Sequence, residues 1–252
     1  MIARGQHART LTALAAAVTL ALFAGRAHAQ SCPLPLMSSN RLVLVTAETM
    51  DTPVAAVQLF QRAAPGGRWQ ALGPPEPAMI GRAGMGWSQF FKHLARAGEP
   101  VKVESDKRAP AGVYSIGRSF GTLASSRPNY LHVKPGLTCV DDTSSPAYNT
   151  IASRAELGPK VHGENMSQAL PMYRRGLLVD YPTDAKRRAG SCIFIHVWRS
   201  PTTGTAGCVA VPEPRMEALQ DFAEGGAVLA ILPRQALDRL RGCLPDVATK
   251  PN

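Results

Sequence analysis

The sequence has 252 residues, of which 45% are hydrophobic and 18% are charged, a composition typical of a folded protein that can bury a full core. Its formal charge is +10, but the basic residues are scattered and no nucleic-acid-binding motif occurs, so we expect no nucleic-acid partner. The length suits one domain, and 22 Gly and 21 Pro spread along the chain are typical of short strands joined by many turns.

The first residues have the pattern of an export signal. Arg4 and Arg9 precede a short apolar run at 11–24, and Ala27-His28-Ala29 matches an A-x-A cleavage site. We therefore predict a signal peptide over residues 1–29. An uncleaved membrane anchor is the alternative, which we disfavour because the apolar run is short for a spanning helix.

The expected mature chain, residues 30–252, would form a single exported domain in the periplasm or the cell envelope. Removing the three arginines of the signal lowers the formal charge from +10 to +7. A basic surface would suit an anionic polymer or a peripheral contact with the cell envelope, although a charge that only keeps the protein soluble is equally compatible.

The remaining elements predict a mainly β (α+β) fold. Apolar or alternating runs indicate strands at 41–47, 54–62, 68–72, 129–133, 176–182, 191–198, 209–211 and 227–232. A helix over 55–63 is an open alternative for the second of these. One helix is predicted to open at Pro212 and to stop at Gly225-Gly226, and a last amphipathic helix to run from Pro233 through Leu240.

Five cysteines lie beyond the predicted signal, and export permits disulfides. Because five is odd, one thiol remains over, and we expect it to be Cys208. Four cysteines allow three pairings; we favour Cys32–Cys243, which would join the two ends of the mature chain, and Cys139–Cys192. No cysteine or histidine cluster has zinc spacing, so neither a metal nor another cofactor is expected.

The stretch from Gly190 to Val211 carries the most chemistry. A short apolar strand containing His196 leads through a turn rich in Thr and Gly to Gly207-Cys208 and a second apolar run. Two neighbouring strands joined in this way would bring His196 beside Cys208, as a cysteine nucleophile requires. The alternative is a buried cysteine and a core histidine without a chemical role.

Two other segments offered candidates. His162 could compete with His196 as a base, but its polar, glycine-bearing surroundings favour an exposed loop. Asp141 and Asp142 are adjacent, so their side chains would point to opposite faces of a strand, and we expect a turn or cap rather than a catalytic dyad.

The motif Thr205-Ala206-Gly207-Cys208 after a strand histidine resembles the active-site segment of the L,D-transpeptidase catalytic domain (YkuD-like) family. Ala206 stands where the family motif has a histidine, and Val209-Ala210 where it has Ile/Val-Arg. Residues 105–116, with Asp106, Pro110 and Gly112, resemble the family's substrate-side turn, and the Cys-Val-Asp-Asp and Tyr-Asn of residues 139–149 resemble a segment of one subgroup. The resemblance covers about residues 79–232.

The resemblance implies a YkuD-like mixed β-sandwich with peripheral helices, and an exported cysteine acyltransferase that cross-links or modifies peptidoglycan stem peptides. We expect the protein to be a monomer. Cys208 would be the nucleophile and His196 the base, with backbone N–H groups at Gly207 and Cys208 stabilising the oxyanion. A backbone carbonyl near 204–206 would orient His196. The candidate substrate-binding residues are Lys107, Arg108, Arg199 and Thr205. A carboxypeptidase or amidase using the same site, or an idle peptidoglycan-binding protein, are the alternatives.

Overall fold

The computed structural model describes Met1 and residues 32–247. The predicted signal peptide, Met1 apart, therefore lies outside the described residues. Strand makes up 31% of the structure and helix 17%, which confirms a mainly β protein with a few helices.

Fourteen strands and three α-helices are described, together with four 3-10 helices. The strands are β1 (Arg41–Ala47), β2 (Val54–Gln61), β3 (Gln70–Ala71), β4 (Glu76–Met79), β5 (Met85–Trp87), β6 (Ala109–Gly121), β7 (Leu131–His132), β8 (Leu137–Cys139), β9 (Ile151–Ser153), β10 (Glu164–Asn165), β11 (Gly176–Val179), β12 (Phe194–Val197), β13 (Val209–Val211) and β14 (Ala227–Pro233). The α-helices are α1 (Leu34–Ser38), α2 (Arg154–Leu157) and α3 (Glu213–Ala223), and the 3-10 helices are Lys92–Leu94, Met166–Gln168, Met172–Arg174 and Arg234–Leu240.

The main sheet closes on itself into a barrel-like ring. Eight strands pair in the order β1-β14-β6-β11-β12-β13-β4-β2, and the antiparallel pairing of β2 with β1 completes the ring. The short strand β3 extends β2, while β5 and β7 pair with β6. A second small sheet, in the order β10-β8-β9, forms from the segment between β7 and β11.

Strand patterning follows burial. All seven residues of β14 are buried, and β1, its parallel neighbour, is buried at five of seven positions, as expected for strands covered on both faces. The register of β2 with β1 is continuous from Ala55, opposite Ala47, to Gln61, opposite Arg41. This segment is therefore a strand, and the alternative helix over 55–63 is wrong.

The predicted helix after the second active-site strand is confirmed as α3, which buries Met216, Leu219 and Ala223. The predicted last helix is 3-10 rather than α-helical, over Arg234–Leu240. Its buried side chains Ala236, Leu237 and Leu240 include the three-residue spacing that a 3-10 helix aligns on one face.

Two disulfides join Cys32 to Cys243 and Cys139 to Cys192, and Cys208 is the free cysteine, as predicted. The main core contains buried residues from Leu36 to Leu244 and so extends beyond the 79–232 span suggested by the resemblance. A smaller cluster lies under the second sheet and includes Cys208. Within the described chain, no helix has the length and apolar character needed to cross a membrane.

Candidate active site

Strands β12 and β13 lie side by side and parallel, and they place the two predicted reactive groups on one face. His196 pairs with Ala210, and Ile195 with Val209. Because side chains alternate along a strand, Cys208, just before β13, shares its face with His196 and Phe194, whereas Ile195 and Val209 face the main core. Cys208 and His196 are thus diagonal neighbours that line one cavity of about 590 Å³.

A compact turn sets the position of Cys208. The Thr205 hydroxyl donates to the Cys208 carbonyl at 2.7 Å and accepts the Gly207 N–H at 3.0 Å. Gly207 has φ +149°, and a Cβ there would lie 3.0 Å from the Arg108 carbonyl oxygen, so a side chain would be strained. Since the Gly207 N–H is bonded to Thr205, it is not free for the oxyanion role expected of it.

The thiol of Cys208 is buried and hydrogen-bonded to the backbone. It is 7% exposed, and Sγ donates to the Cys192 carbonyl at 3.4 Å. Burial raises its pKa to about 12, with a further contribution from Glu164. A backbone hydrogen bond from Phe194 and the charge of Lys102 act in the opposite direction. The resting group is therefore a neutral thiol.

The imidazole of His196 is also buried, at 4% exposure. Burial lowers its pKa to about 4, opposed by the hydrogen bond to Val197 and reinforced by Arg199. Nδ1 lies 2.8 Å from the Val197 carbonyl oxygen. A carbonyl only accepts, so Nδ1 carries the proton and Nε2 keeps its lone pair. The orienting carbonyl is thus that of Val197, and the expectation that residues 204–206 supply it is wrong.

Cysteine and histidine therefore form a neutral pair at rest, rather than a thiolate stabilised by an imidazolium. The thiol donates its hydrogen bond to the backbone carbonyl of Cys192 and not to His196. For proton transfer, Sγ would have to exchange the Cys192 carbonyl for His196 Nε2, since catalytic hydrogen bonds often form only in the substrate complex. The arrangement suits a general base that acts as the nucleophile attacks.

An aromatic and acidic group covers the pair. The Tyr173 hydroxyl donates to Glu164 Oε2 at 2.8 Å, and its ring meets the ring of His196 edge-on at 5.5 Å. Burial raises the pKa of Tyr173 well above its usual range, with the Cys208 thiol contributing next. Burial also raises the pKa of Glu164. Both residues line the cavity beside His196 and Cys208.

The predicted substrate-binding residues fall into two groups. Lys107, Arg199 and Thr205 line the cavity, and Arg199 Nε donates to the Met172 sulfur at 3.3 Å. Arg108 is not among the lining residues. Its guanidinium donates to the Met50 and Met85 carbonyls and pairs with Asp51 at 2.8 Å, so we assign it a role in holding the turn before β6.

The rival candidates have other functions. His162 is exposed and its N–H donates to Asp142 at 3.3 Å, outside the cavity. The Asp142 carboxylate also accepts the Ser144 N–H at 2.9 Å, so it caps a turn, as predicted. Asp141 lines the cavity, and its pKa is raised, first by desolvation and then by Glu104.

Sequence reasoning missed several residues that line the cavity. Lys102 is 3% exposed and its ammonium pairs with Asp106 at 2.5 Å. Glu104 accepts hydrogen bonds from Ser191 at 2.7 Å and from Tyr148. Lysine and glutamate alternating with valine at 101–104 was the only local signal, and that pattern is also typical of an exposed strand. Glu164 and Tyr173 lay in a polar stretch without periodicity.

The comparisons with known proteins add nothing to this geometry. No family model, no curated protein and no solved structure matches the chain. Within residues 32–247, no group of three or more His, Cys, Asp or Glu side chains is placed to hold a metal ion.

Proposed function

We propose that this protein is an exported cysteine acyltransferase that forms a thioester on Cys208 and acts on peptidoglycan stem peptides in the manner of L,D-transpeptidases. One observation carries the proposal: the free thiol shares a cavity and a strand face with a histidine whose Nε2 is unprotonated. The closed sheet would be the family's mixed sandwich with peripheral helices. The two disulfides fit an oxidising compartment such as the periplasm.

In the acylation step His196 Nε2 takes the proton from Cys208 Sγ, and the sulfur attacks a peptide carbonyl carbon. The C–N bond to the terminal residue breaks, and the leaving amine receives the proton from the imidazolium. The thioester then waits in the cavity for its acceptor.

In the second step an amine of another stem peptide attacks the thioester carbonyl. His196 takes the amine proton, the C–S bond breaks, and the imidazolium returns a proton to the sulfur. Water in place of the amine would give a hydrolase. The cavity carries cations at Lys107 and Arg199 and carboxylates at Glu104 and Asp141, which suits a substrate with both carboxylate and amine groups.

The proposal is tested by incubating the purified protein with muropeptides and recording product masses. Cross-linked products and a thioester adduct on Cys208 are the expected result, with Cys208→Ser as the control that forms neither. Trimmed peptides without cross-links would show that the protein is a hydrolase rather than a transferase. Retention of peptidoglycan with no mass change and no adduct would overturn the proposal in favour of an idle binding protein.

A further inference from the structure

A buried lysine stands beside the nucleophile. Lys102 is 3% exposed, and its Nζ donates to the Val103 carbonyl at 2.8 Å and to Asp106 at 2.5 Å. Burying an ammonium is costly unless it is paired and hydrogen-bonded, and these two acceptors provide that pairing. These two acceptors use two of the three N–H donors of the ammonium, so one N–H donor is not committed to this turn.

The backbone at the site leaves room for this side chain. A Cβ at Gly207 would lie 3.9 Å from Lys102 Nζ, and a Cβ at Gly190 only 2.9 Å from Lys102 Cε. Gly207 directly precedes Cys208, and both it and Lys102 line the same cavity. The ammonium therefore lies against the backbone that presents the thiol.

Other charged and titratable groups also face Cys208. His196 on β12 is neutral, Glu164 on β10 is an acid bonded to Tyr173, and the rest of the cavity carries Arg82, Glu104, Lys107, Asp141 and Arg199. Among the cations that line this cavity in the described chain, Lys102 alone is buried. In a low-dielectric site a buried charge is screened far less than a surface charge.

We propose that the ammonium of Lys102 stabilises the negative charge that develops at Cys208 when His196 removes its proton. This role rests on the proposed function for its purpose, but its electrostatic part does not require a substrate. The positive charge of Lys102 opposes the effect of the neighbouring acid Glu164. It also compensates for the Gly207 N–H, which donates to Thr205 and so cannot stabilise a negative charge at the site. Lys102 thus stabilises the Cys208 thiolate electrostatically, and its ion pair with Asp106 weakens this effect.

The test uses two variants that disturb the same turn but change its charge in opposite directions. Lys102→Met removes the cation, while Asp106→Asn removes the anion that neutralises it. Lys102→Met loses the Nζ bonds to Val103 and Asp106, and Asp106→Asn weakens the acceptor of the Val103 and Arg108 N–H groups, which lie at 2.8 and 2.9 Å. Both variants therefore disturb the same turn. A structural role would move both variants the same way.

The measurement is the rate of Cys208 alkylation by iodoacetamide from pH 6 to 10. We expect Lys102→Met to react about tenfold more slowly at neutral pH, because one pKa unit changes the thiolate fraction tenfold. Asp106→Asn should react several-fold faster. Lys102→Arg should keep the wild-type profile, and Lys134→Met, an exposed lysine outside the cavity, is the matched charge control. Shifts in the same direction, or none, would overturn the proposal.

Acylation by a donor stem peptide, followed by mass spectrometry, separates this proposal from the proposed function. If wild-type protein is never acylated but alkylation shifts in opposite directions, the Lys102 role stands and the acyltransferase function fails. If wild-type protein is acylated and Lys102→Met has an unchanged profile, only the Lys102 proposal fails. Circular dichroism verifies folding. Should Lys102→Met be unfolded, faster alkylation of Asp106→Asn together with a wild-type profile for Lys102→Arg supports the proposal, and unchanged or slower alkylation of Asp106→Asn overturns it.

Discussion

At the scale of single residues, burial has a larger effect on the two reactive groups than their attraction for each other. The Cys208 pKa is raised to about 12 and the His196 pKa is lowered to about 4, with desolvation as the first cause of both. Separating charge between these two buried groups costs energy, because burial disfavours the charged form of each. Under the proposed function, proton transfer to His196 would accompany attack on the substrate carbonyl, because the carbonyl would accept the electron pair of the sulfur as the charge forms.

The two histidines can be separated by substitution. We expect His196→Ala to slow acylation of Cys208 by about 100- to 10,000-fold, because it removes the base. His162→Ala should change the rate far less, since this side chain is exposed outside the cavity. Acylation rates by mass spectrometry, with circular dichroism for folding, make the comparison. An inactive His162 variant together with an active His196 variant would show that His162, and not His196, is the base.

Element by element, the small sheet β10-β8-β9 covers the site and is tied to it covalently. Cys139 at the end of β8 bonds to Cys192, whose carbonyl accepts the Cys208 thiol. Glu164 on β10 bonds to Tyr173 beside His196. The disulfide therefore fixes both this small sheet and one hydrogen-bond partner of the Cys208 thiol.

Replacing both Cys139 and Cys192 with alanine should loosen this cover while the closed sheet remains folded. The bond spans 53 residues and contributes about 4 kcal/mol at most on the chain-entropy model. We expect acylation to fall about tenfold or more, and hydrogen exchange to quicken over residues 137–169 but not in β1 or β14. The Cys32/Cys243 double alanine variant, which loses a disulfide elsewhere, is the control. Equal acylation in both variants would show that the cover has no role in the site.

Local sequence predicted the elements that carry the reactive pair but not the group that surrounds it. The apolar runs around His196 and Cys208 gave β12 and β13, and the odd cysteine count gave the free thiol. Lys102, Glu164 and Tyr173 were missed because they reach the cavity through long-range packing, and a polar residue has the same local pattern whether it is buried or exposed. Arg108 shows the converse, since its segment was assigned from a motif while its guanidinium holds a turn.

On the scale of the whole molecule, the first and last parts of the described chain are joined twice. Strand β1 pairs in parallel with β14 over six residue pairs, and Cys32 bonds to Cys243 across 211 residues. The Trp69 indole adds a hydrogen bond to the Cys243 carbonyl at 3.0 Å. Chain closure on this scale constrains the unfolded state strongly.

The Cys32→Ala/Cys243→Ala variant should be less stable but still active. The chain-entropy model gives about 5 kcal/mol as an upper value, which corresponds to a fall of about 10 °C or more in Tm. Acylation at room temperature should be retained, since neither cysteine lines the active-site cavity. Scanning calorimetry and the acylation rate check the two halves. An unchanged Tm, or Cys32 found bonded to another cysteine by peptide mapping, would contradict the prediction.

The neutral, buried state of Cys208 also affects how easily this thiol is oxidised. Peroxides and disulfide partners react with thiolates, and a thiol with a pKa near 12 offers almost none at neutral pH. A chain with two disulfides is suited to conditions that oxidise free thiols. Holding Cys208 protonated and 7% exposed lets this free cysteine persist there without being converted to a sulfenic acid or to a wrong disulfide.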